Sequence, residues 1–395
     1  MTLRILYHHR TQGRGAEGLH ISRIVLALRE MGHEVTVVSP PGIDPLASLG
    51  GQAAERADAK KPGVSRLWMW ISRNLPGSLF EVVEVLYNVS AYIRLRRIMA
   101  TQKFDLVYER YAFFLVAGSF LAHRYGVPFV LEANEVNGIE ARVRKQSFPR
   151  LCRSFERALF ARCAAIHTVS SYLRQKIIDA GVPANRVFVA PNAFDVRAIP
   201  SKASTDDLRR KFGLQGRSVI GFAGWFSDWD RLDFFIDVLG DLAASHPGLA
   251  LLLIGDGPMV PRLREQVKRL GLADTVVFSG PVQRSLVYDH IAMLDVAVLP
   301  HSNRFGSPVV MFEFMGLKIP VVAPRLEPIL DVQVDGETAL LFDPLNREQC
   351  AQAIGRLLAD AGLREQLAQA AYAKLLANHT WQCNAENILS SVRLV

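Results

Sequence analysis

The sequence predicts an α/β protein with two doubly wound parallel sheets. Its 395 residues are more than one ordinary hydrophobic core holds, so two domains are expected. Strand-like apolar runs alternate with amphipathic helical segments over most of the chain, which is the pattern of βαβ units. The alternation runs through the first half and then begins again, which indicates two separate sheets.

The first series of strands is predicted in short runs of β-branched and aromatic residues that end in polar or turn residues. In order, these runs are LRILYHH, HEVTVVSP, FDLVYERY, PFVLEAN and AAIHTVS. Helical periodicity predicts one helix from about Gly18 to Met31 and another that ends at Tyr125.

The second series contains continuous apolar runs, which are typical of strands buried on both faces. These runs are SVIGFAG, LALLLIGDG, TVVFSG, LDVAVLP and IPVVAP. Helices are predicted through FFIDVLGDL, up to Leu270 and after FGSP, and the tail from about Asn346 is predicted to be helical throughout. The polar, aperiodic segment AIPSKASTDDLRRKFGLQGRS separates the two series and is predicted to be the linker.

Composition indicates a packed globular protein, because 50% of the residues are apolar and only 21% are charged. No apolar stretch approaches the ~20 residues of a membrane span, and MTLRILYHHR lacks the apolar core of a signal peptide, so a cytoplasmic location is expected. Four cysteines without CxxC spacing favour buried thiols over a disulfide framework or a zinc site. The net charge of +8 indicates an anionic partner, which can be nucleic acid, a phosphorylated small molecule or a membrane surface.

Glycines after the first strand are candidates for a phosphate-binding turn. Gly13, Gly15 and Gly18 precede the first predicted helix, whose N-terminal N–H groups favour an anion. Only a start at Gly13 gives the GxGxxG spacing, and no acidic residue ends the next strand, which argues against a nicotinamide or flavin cofactor. A flexible strand-to-helix turn is the alternative interpretation.

The segment FGSPVVMFEFMG, residues 305 to 316, places one acid, Glu313, in an otherwise apolar helix. Gly306 and Ser307 are predicted to open this helix, so that its N–H groups and dipole can hold a diphosphate. Glu313 can then accept hydrogen bonds from a ribose diol. The alternative is an internal ion pair with Arg304 or Lys318, which are close in sequence. The turn LLLIGDGP, with Asp256, is weak evidence for a site because Asp and Gly favour turns anywhere.

Five ordered segments together resemble a known family. They are GAEGLHISRIVLALREMGHEVTVVSP, HTVSSYLRQKIIDAGVPANRVFVAPNAFD, IGDGPMVPRLREQVKRLGLADTVVFSGPV, DVAVLPHSNRFGSPVVMFEFMGLKIPVVAP and VDGETALLFDP. In this order they resemble the retaining GT-B glycosyltransferases of family 4 over nearly the whole chain. The resemblance implies two Rossmann-like domains that face a central cleft, in residues 1–195 and 196–375, with a last helix, 376–395, that crosses back to the N-terminal domain. It also implies a nucleoside diphosphate sugar as donor, bound mainly by the C-terminal domain, with neither metal nor cofactor.

Carried over residue by residue, the resemblance assigns Glu313 to the second acid of the Glu-x7-Glu motif, which holds the nucleotide ribose. It assigns the turn from Gly306 to Pro308 to the donor phosphates and the segment from Gly280 to Val282 to the nucleotide base. The implied donor-binding residues are Gly15, Gly224, Asp256, Gly280, Val282, Arg304, Gly306, Ser307 and Glu313.

The sequence departs from the family pattern at several of these positions. The first acid of the motif falls on Phe305, and the usual basic pair falls on Trp225 and Asp230, which cannot neutralise a diphosphate. The lysine of the Ser-Pro-x-Lys variant of the turn is Val310. Arg231 or Arg304 can substitute, because a guanidinium grips phosphate through a bidentate fork.

In the N-terminal half, Asn134 stands where many relatives have a histidine, and it can hydrogen-bond a sugar hydroxyl but cannot titrate. Glu132 is the nearest acid. The candidate catalytic residues are therefore Glu132, Asn134 and Arg231. The alternative for Glu132 is a carboxylate at the edge of the core, paired with Arg110.

Two basic segments of the N-terminal half also contain tryptophans or aromatic neighbours, a composition that suits an anionic membrane interface. Their residues are Arg66, Trp68, Trp70, Arg73, Arg94, Arg96 and Arg97. The alternative is ordinary helices with buried tryptophans and solvated arginines. No recognised nucleic-acid-binding module is present, so nucleic acid is not an expected partner.

The sequence thus predicts a cytoplasmic, metal-independent hexosyltransferase, peripheral on the inner face of a membrane. We expect transfer from a nucleoside diphosphate sugar to a lipid-linked or oligosaccharide acceptor, with retention, in cell-surface polysaccharide or glycoconjugate synthesis. The alternative is a non-catalytic relative that binds a sugar nucleotide or glycan as a partner subunit, which the missing acid and basic pair favour.

Overall fold

The computed structural model describes residues 2–11, 15–46, 76–139, 146–199, 205–243 and 245–393. Contacts divide the chain into two units, Met1–Ala190 with Trp381–Val395 and Pro191–Thr380. The boundaries expected from the sequence lie at 195/196 and 375/376. Gly13, Arg66, Trp68, Trp70 and Arg73 lie outside the described residues.

The first unit is built on a six-stranded parallel sheet in the order β2-β1-β3-β4-β5-β6. Its strands are β1 (Arg4–His8), β2 (Glu34–Val38), β3 (Leu106–Arg110), β4 (Phe129–Ala133), β5 (Ala165–Thr168) and β6 (Val187–Val189). The helices between them are α1 (Gly15–Glu30), α2 (Gly77–Thr101), α3 (Ala117–Tyr125), α4 (Pro149–Phe160) and α5 (Ser171–Asp179). The central strands β3, β4 and β5 are buried along their whole length, including the charged side chains of Glu109, Arg110 and Glu132.

The second unit contains another six-stranded parallel sheet, in the order β12-β11-β10-β7-β8-β9. Its strands are β7 (Ser218–Trp225), β8 (Leu249–Asp256), β9 (Val276–Gly280), β10 (Val296–Val298), β11 (Val321–Pro324) and β12 (Leu340–Phe342). Its helices are α6 (Thr205–Lys211), α7 (Leu232–Ala243), α8 (Val260–Arg269), α9 (Val287–Ile291), α10 (Val309–Gly316), α11 (Glu327–Leu330), α12 (Arg347–Ala359) and α13 (Ala361–Asn378). One continuous cluster of buried apolar side chains joins this sheet to its helices.

The final helix, α14 (Trp381–Arg393), belongs to the first unit and packs against α1 and β5. The ring of Trp381 lies edge-on to the ring of His20 at 4.8 Å, and Ser391 Oγ lies 2.9 Å from His167 Nε2. The expected return of the last helix to the N-terminal domain is thus confirmed.

The sequence-based description was wrong about the linker. The expected linker contains helix α6. Its acids Asp206 and Asp207 lie in the first turn and its basic residues lie in the last turn, so both interact favourably with the helix dipole. The tail is helical as predicted, in the helices α12, α13 and α14. Asp360 ends α12 and then caps α13 by accepting a hydrogen bond from Leu363 N at 2.9 Å.

Each sheet has a point at which the strand order changes direction, and open parallel sheets bind ligands at the carboxyl ends of the strands there. In the first unit this point lies between β1 and β3, and in the second between β7 and β10. In both units, candidate residues from the sequence analysis follow the strands at this point. Among the described residues, no helix is long and apolar enough to cross a membrane.

Candidate functional site

The second unit gathers the candidate donor-binding residues where β7 and β10 end. Strand β7 ends at Trp225, and the chain turns through the short 3₁₀ helix Asp228–Asp230 into α7. Strand β10 ends at Val298 and continues through residues 299–308 into α10. The two connections approach each other, since His301 Nδ1 lies 3.0 Å from the carbonyl oxygen of Trp229.

The turn before α10 is fixed by side-chain hydrogen bonds. Gly306 N donates to Asn303 Oδ1 at 2.5 Å, and a Cβ at this position would lie 2.7 Å from the same oxygen, so the turn favours glycine. Ser307 is buried, its hydroxyl accepts from Asn192 N at 3.1 Å, and its carbonyl accepts from Asn192 Nδ2 at 2.6 Å.

Helix α10 begins at Val309, with Pro308 as its N-cap, and not at Gly306 or Ser307 as predicted. The N–H of Gly306 is already used by Asn303, which corrects the expectation that this group is offered to a phosphate. Proline has no side-chain acceptor, so it leaves the first-turn N–H groups of α10 without a side-chain cap. These groups and the helix dipole favour an anion at this end of the helix.

Glu313 lies in the middle of α10 and is only 4% exposed. Its Oε1 lies 2.8 Å from Nη2 of the half-exposed Arg284, but the contact is not a well-aligned hydrogen bond. Burial raises the pKa of Glu313, and the Arg284 guanidinium offsets only part of this shift. This carboxylate therefore keeps hydrogen-bonding capacity that the protein itself does not use.

The sequence-based alternative for Glu313 named the wrong cations. Arg304 pairs with Glu327 on the surface, with Nη2 2.5 Å from Oε1. The ammonium of Lys318 lies over the ring of Tyr372, 4.5 Å from its centroid. The basic partner is Arg284, which follows the expected base-binding segment and also donates to the Tyr288 hydroxyl at 3.0 Å.

Glycines allow the backbones of β7 and β8 to approach closely at their carboxyl ends. Gly255 has a φ of +128°, and a Cβ there would lie 2.0 Å from the carbonyl oxygen of Gly224. Beside them, Asp256 Oδ1 accepts from Gly257 N at 2.8 Å, so its carboxylate shapes the turn. Of the expected base-binding segment, Gly280 ends β9 with a φ of +72°, and Val282 packs on the apolar core.

The expected substitute arginine, Arg231, is held in the left-handed region with a φ of 48° and forms a two-point contact with Asp233 at 2.9 and 3.2 Å. Beside it, Asp230 accepts a hydrogen bond from Ser227 N at 2.9 Å. Burial raises the pKa of Asp230 to about 7. Trp225 is 66% exposed.

In the first unit, Glu132 near the end of β4 is the centre of a buried polar cluster. Its carboxylate contacts Arg110 and accepts from the hydroxyls of Tyr7 at 3.2 Å and Tyr108 at 3.0 Å. His20 Nε2 lies 3.2 Å from Oε1. Burial alone would raise the pKa of Glu132, but His20, Arg110 and the hydrogen bonds hold it well below its usual range.

The pairing of Glu132 with Arg110 was the alternative considered from the sequence, and the geometry supports it. A carboxylate with a lowered pKa and several hydrogen-bond donors is a weak base, but it holds the donor groups in fixed positions. Asn134 is one of the anchored groups, because its Nδ2 donates to Glu132 Oε1 at 2.5 Å. Its amide oxygen is then the atom offered to a hydroxyl donor. Gly15 is the first residue of α1.

Two family profiles match this chain. The family profile described as "Glycosyl transferases group 1" matches residues 217–360, and the one described as "Glycosyl transferase 4-like domain" matches residues 15–193. The chain belongs to the group 1 glycosyltransferases. Among curated relatives of this family, the D-inositol 3-phosphate glycosyltransferase of Acidothermus cellulolyticus is 28% identical over 73% of this chain and 67% of the relative.

Other curated relatives align over shorter regions. The alpha-D-kanosaminyltransferase of Streptomyces kanamyceticus is 26% identical over 54% of this chain, and the chain spans 56% of that relative. The GDP-mannose-dependent alpha-(1-6)-phosphatidylinositol monomannoside mannosyltransferase of Mycolicibacterium smegmatis is 29% identical over 49% of this chain and 52% of its own length. These relatives differ in the sugar and the acceptor that their names give.

Solved structures show the GT-B fold. Anabaena Alr3699/HepE, solved in complex with UDP, has a TM-score of 0.70 with 18% identity, and each chain covers 100% of the other. The sucrose-phosphate synthase of Thermosynechococcus elongatus has a TM-score of 0.71 with 16% identity, over 99% of this chain and 98% of its own.

Several residues of this glycosyltransferase's second unit were not found from its sequence. Arg284, Asn303 and Asn192 each contact a predicted site residue. Only Arg284 could have been identified from the sequence, since it is the first basic residue after the segment expected to bind the nucleotide base. Among the described residues, no group of three or more His, Cys, Asp or Glu side chains is placed to hold a metal ion.

Proposed function

We propose that this chain transfers a hexose from a nucleoside diphosphate sugar to a hydroxyl of a lipid-linked or oligosaccharide acceptor. The observation that carries the proposal is Glu313, a buried carboxylate with unused hydrogen-bonding capacity in a helix whose N-terminal turn lacks a side-chain cap. A ribose diol supplies the donors that such a carboxylate lacks. A diphosphate supplies the anion that the helix N-terminus favours.

In a reaction with this donor, the main task of the protein is to stabilise the leaving group. In the proposed reaction the anomeric carbon becomes oxocarbenium-like while negative charge develops on the departing diphosphate. The first-turn N–H groups of α10 stabilise this charge, together with Arg231 or Arg304. The structure of Anabaena Alr3699/HepE in complex with UDP-glucose supports a donor of this class. We propose that no divalent metal takes part and that the anomeric configuration is retained.

The acceptor hydroxyl is assigned to the first unit. Asn134 accepts a hydrogen bond from a sugar hydroxyl, and Glu132 positions it through the 2.5 Å contact. Glu132 thus acts through Asn134, because its own lowered pKa makes it a poor proton acceptor, and the proton of the acceptor hydroxyl passes to the departing diphosphate. We assign the reaction to cell-surface polysaccharide or glycoconjugate synthesis, on the cytoplasmic side of the membrane.

A non-catalytic sugar-nucleotide-binding subunit is the second candidate, and specific residues favour it. Phe305 occupies the position of the first acid, and Trp225 and Asp230 occupy those of the basic pair. Arg231 and Arg304 are each engaged by a carboxylate, Asp233 and Glu327 respectively. A diphosphate must compete with these carboxylates for the guanidinium groups.

Product analysis distinguishes the two candidates. The protein is incubated with a panel of sugar nucleotides and a membrane lipid extract, and products are identified by mass spectrometry. We expect a new glycolipid or oligosaccharide with the mass of one added hexose. Binding of a sugar nucleotide by calorimetry without any product, across the panel, would establish the non-catalytic alternative. Binding of none of them would contradict both.

A further inference from the structure

Helix α2 of the first unit buries both of its acids together with apolar residues and exposes a row of large apolar side chains. Its two acids point inward. Glu81 accepts from the backbone N–H groups of Ser147 at 2.7 Å and Phe148 at 2.9 Å. Glu84 pairs with Arg10 at 2.5 Å. Both acids of α2 therefore have partners within the protein.

The outward face of α2 carries large apolar side chains instead. They are Leu79, Val82, Leu86, Val89 and Ile93. Their spacing of three and four residues places them in one stripe, about 21 Å long at the helical rise of ~1.5 Å per residue. Leu86 and Val89 are each 60% exposed. Such a contiguous exposed apolar surface marks an interaction site.

The stripe continues onto the neighbouring helix. Phe120 of α3 is exposed, and its ring lies 6.2 Å from that of Tyr92 on α2. At the end of the stripe, Arg96 and Arg97 are exposed, whereas Arg94 points inward and donates to Ser39 O at 2.6 Å. Within α2, which the structure describes completely, the exposed residues include two arginines and no acid.

We propose that the α2 stripe docks the protein on an anionic phospholipid bilayer, with the apolar side chains in the interface and Arg96 and Arg97 at the lipid phosphates. Charge complementarity selects this occupant. An apolar helix face flanked by cations binds anionic membranes through buried area and electrostatic attraction together. The net charge of +8 acts in the same direction.

A second copy of the chain fits the stripe less well. In a parallel pair of α2 helices, Arg96 and Arg97 would meet the same residues of the other copy and repel them. In an antiparallel pair they would meet the first turns, which carry no acid. Five side chains are also few against the ~20–30 residues per side of a stable interface. The proposal goes beyond the transfer reaction and does not require that the chain be catalytic.

The test uses two variants of the full-length protein, Leu86→Gln with Val89→Gln, and Arg96→Gln with Arg97→Gln. Glutamine keeps good helix propensity, so α2 is preserved. The matched control is Leu376→Gln, an exposed leucine on α13. Co-sedimentation is measured with vesicles that contain phosphatidylglycerol and with vesicles of phosphatidylcholine alone, at 0.1 M and 1 M salt, where the Debye length is ~10 and ~3 Å.

We expect wild type and Leu376→Gln to bind anionic vesicles more tightly than neutral ones, and more weakly in high salt. The apolar double variant should bind at least about tenfold more weakly, because two side chains no longer enter the interface. The arginine double variant should lose about fivefold per arginine at low salt only. Undiminished vesicle binding by the apolar variant would overturn the proposal.

Sedimentation velocity without lipid identifies the competing occupant. A wild-type dimer that the apolar variant dissociates, combined with no vesicle binding, would assign the stripe to a second copy and overturn the proposal. UDP binding by calorimetry is measured on every variant and should be unchanged, because α2 lies outside the proposed donor site. If wild type binds none of UDP, GDP and ADP, the proposed donor is contradicted, but the vesicle result still tests the α2 stripe independently.

Discussion

Glu313 and Glu132 are both buried carboxylates, but their surroundings differ in kind. Glu132 receives hydrogen bonds from two tyrosine hydroxyls and an amide and contacts Arg110, and its pKa is lowered. Glu313 has one half-exposed cationic partner and a raised pKa. A carboxylate with several hydrogen-bond donors positions those neighbours, whereas a carboxylate with unused acceptor capacity is available to a ligand. This difference supports the separate roles that we propose for them.

Asp230 predicts a pH dependence of stability. Burial raises its pKa from 3.8 to about 7, so between these values the folded protein holds a proton that the unfolded chain has lost. The contribution of Asp230 to stability is therefore present below pH 4 and is lost progressively as the pH rises towards 7. We expect Asp230→Asn to raise the thermal unfolding midpoint relative to wild type at pH 8 but not at pH 4.

The control is Asp228→Asn, an exposed neighbour on the same 3₁₀ turn. Its difference from wild type should stay constant across the same pH range. A difference between Asp230→Asn and wild type that does not grow between pH 4 and 7 would show that Asp230 has an ordinary pKa in the folded protein.

The arginines near the proposed diphosphate site give a second prediction at the residue scale. We expect Arg231→Ala or Arg304→Ala to lower kcat/KM by at least about tenfold, the loss of one charge-assisted hydrogen bond. Arg347→Ala is the control, because Arg347 pairs with Asp241 elsewhere on the second unit. Wild-type turnover in both test variants would mean that the diphosphate is neutralised in another way.

At the scale of single elements, the junction of β7 and β8 depends on Gly255. Gly255→Ala would force an L side chain into a φ of +128° and place its Cβ 2.0 Å from Gly224 O. We expect a loss of at least about 2 kcal/mol in the free energy of unfolding. Gly240→Ala in α7 is the control, because a Cβ there would meet no atom within 4 Å and alanine favours a helix by about 0.5–1 kcal/mol. Chemical denaturation that ranks the two variants equally would contradict this account.

Ten of the twelve strands that the structure describes were predicted from the sequence, because each lies in an apolar run. Strands β6 and β12 were missed, since each has three residues and lies at a sheet edge. Strand β10 also has three residues, but it is central and was found from the longer apolar run LDVAVLP. Helix α6 was taken for linker because it has no buried residue. Its acids in the first turn and basic residues in the last turn could have identified it as a helix.

The candidate site was predicted only as far as local sequence determines it. Glu313 was identified because one acid in an apolar helix requires a partner or a ligand. Its partner Arg284 is 29 residues away in the chain and reaches it only through the fold. The hydrogen bonds of Ser307 to Asn192 span 115 residues and left no local signal.

At the scale of the whole molecule, the two units correspond to the two matched family profiles, residues 15–193 and 217–360. Each unit has its own strand-order reversal, and each brings candidate residues to that point. Binding of the donor and of the acceptor can therefore be tested separately, by changing residues of one unit at a time.

Metal independence is a further prediction for the whole enzyme. If N–H groups and arginine stabilise the leaving diphosphate, turnover should persist in excess EDTA. Adding back Mg²⁺ or Mn²⁺ should change the rate less than twofold, with the same enzyme before chelation as the control. A rate that vanishes in EDTA and returns with one of these ions would assign the charge stabilisation to a metal.

The central claim, that the second unit holds a nucleoside diphosphate through Glu313, is tested most directly by titration calorimetry. UDP, GDP and ADP are titrated into wild type, Glu313→Gln and the control Glu365→Gln, an exposed acid on α13. We predict that at least one diphosphate binds wild type and the control equally and binds Glu313→Gln about 10–100-fold more weakly, as expected for about 1.5–3 kcal/mol of charged hydrogen bonding. Equal affinity for wild type and a folded Glu313→Gln, or no binding of any diphosphate to wild type, would contradict the claim.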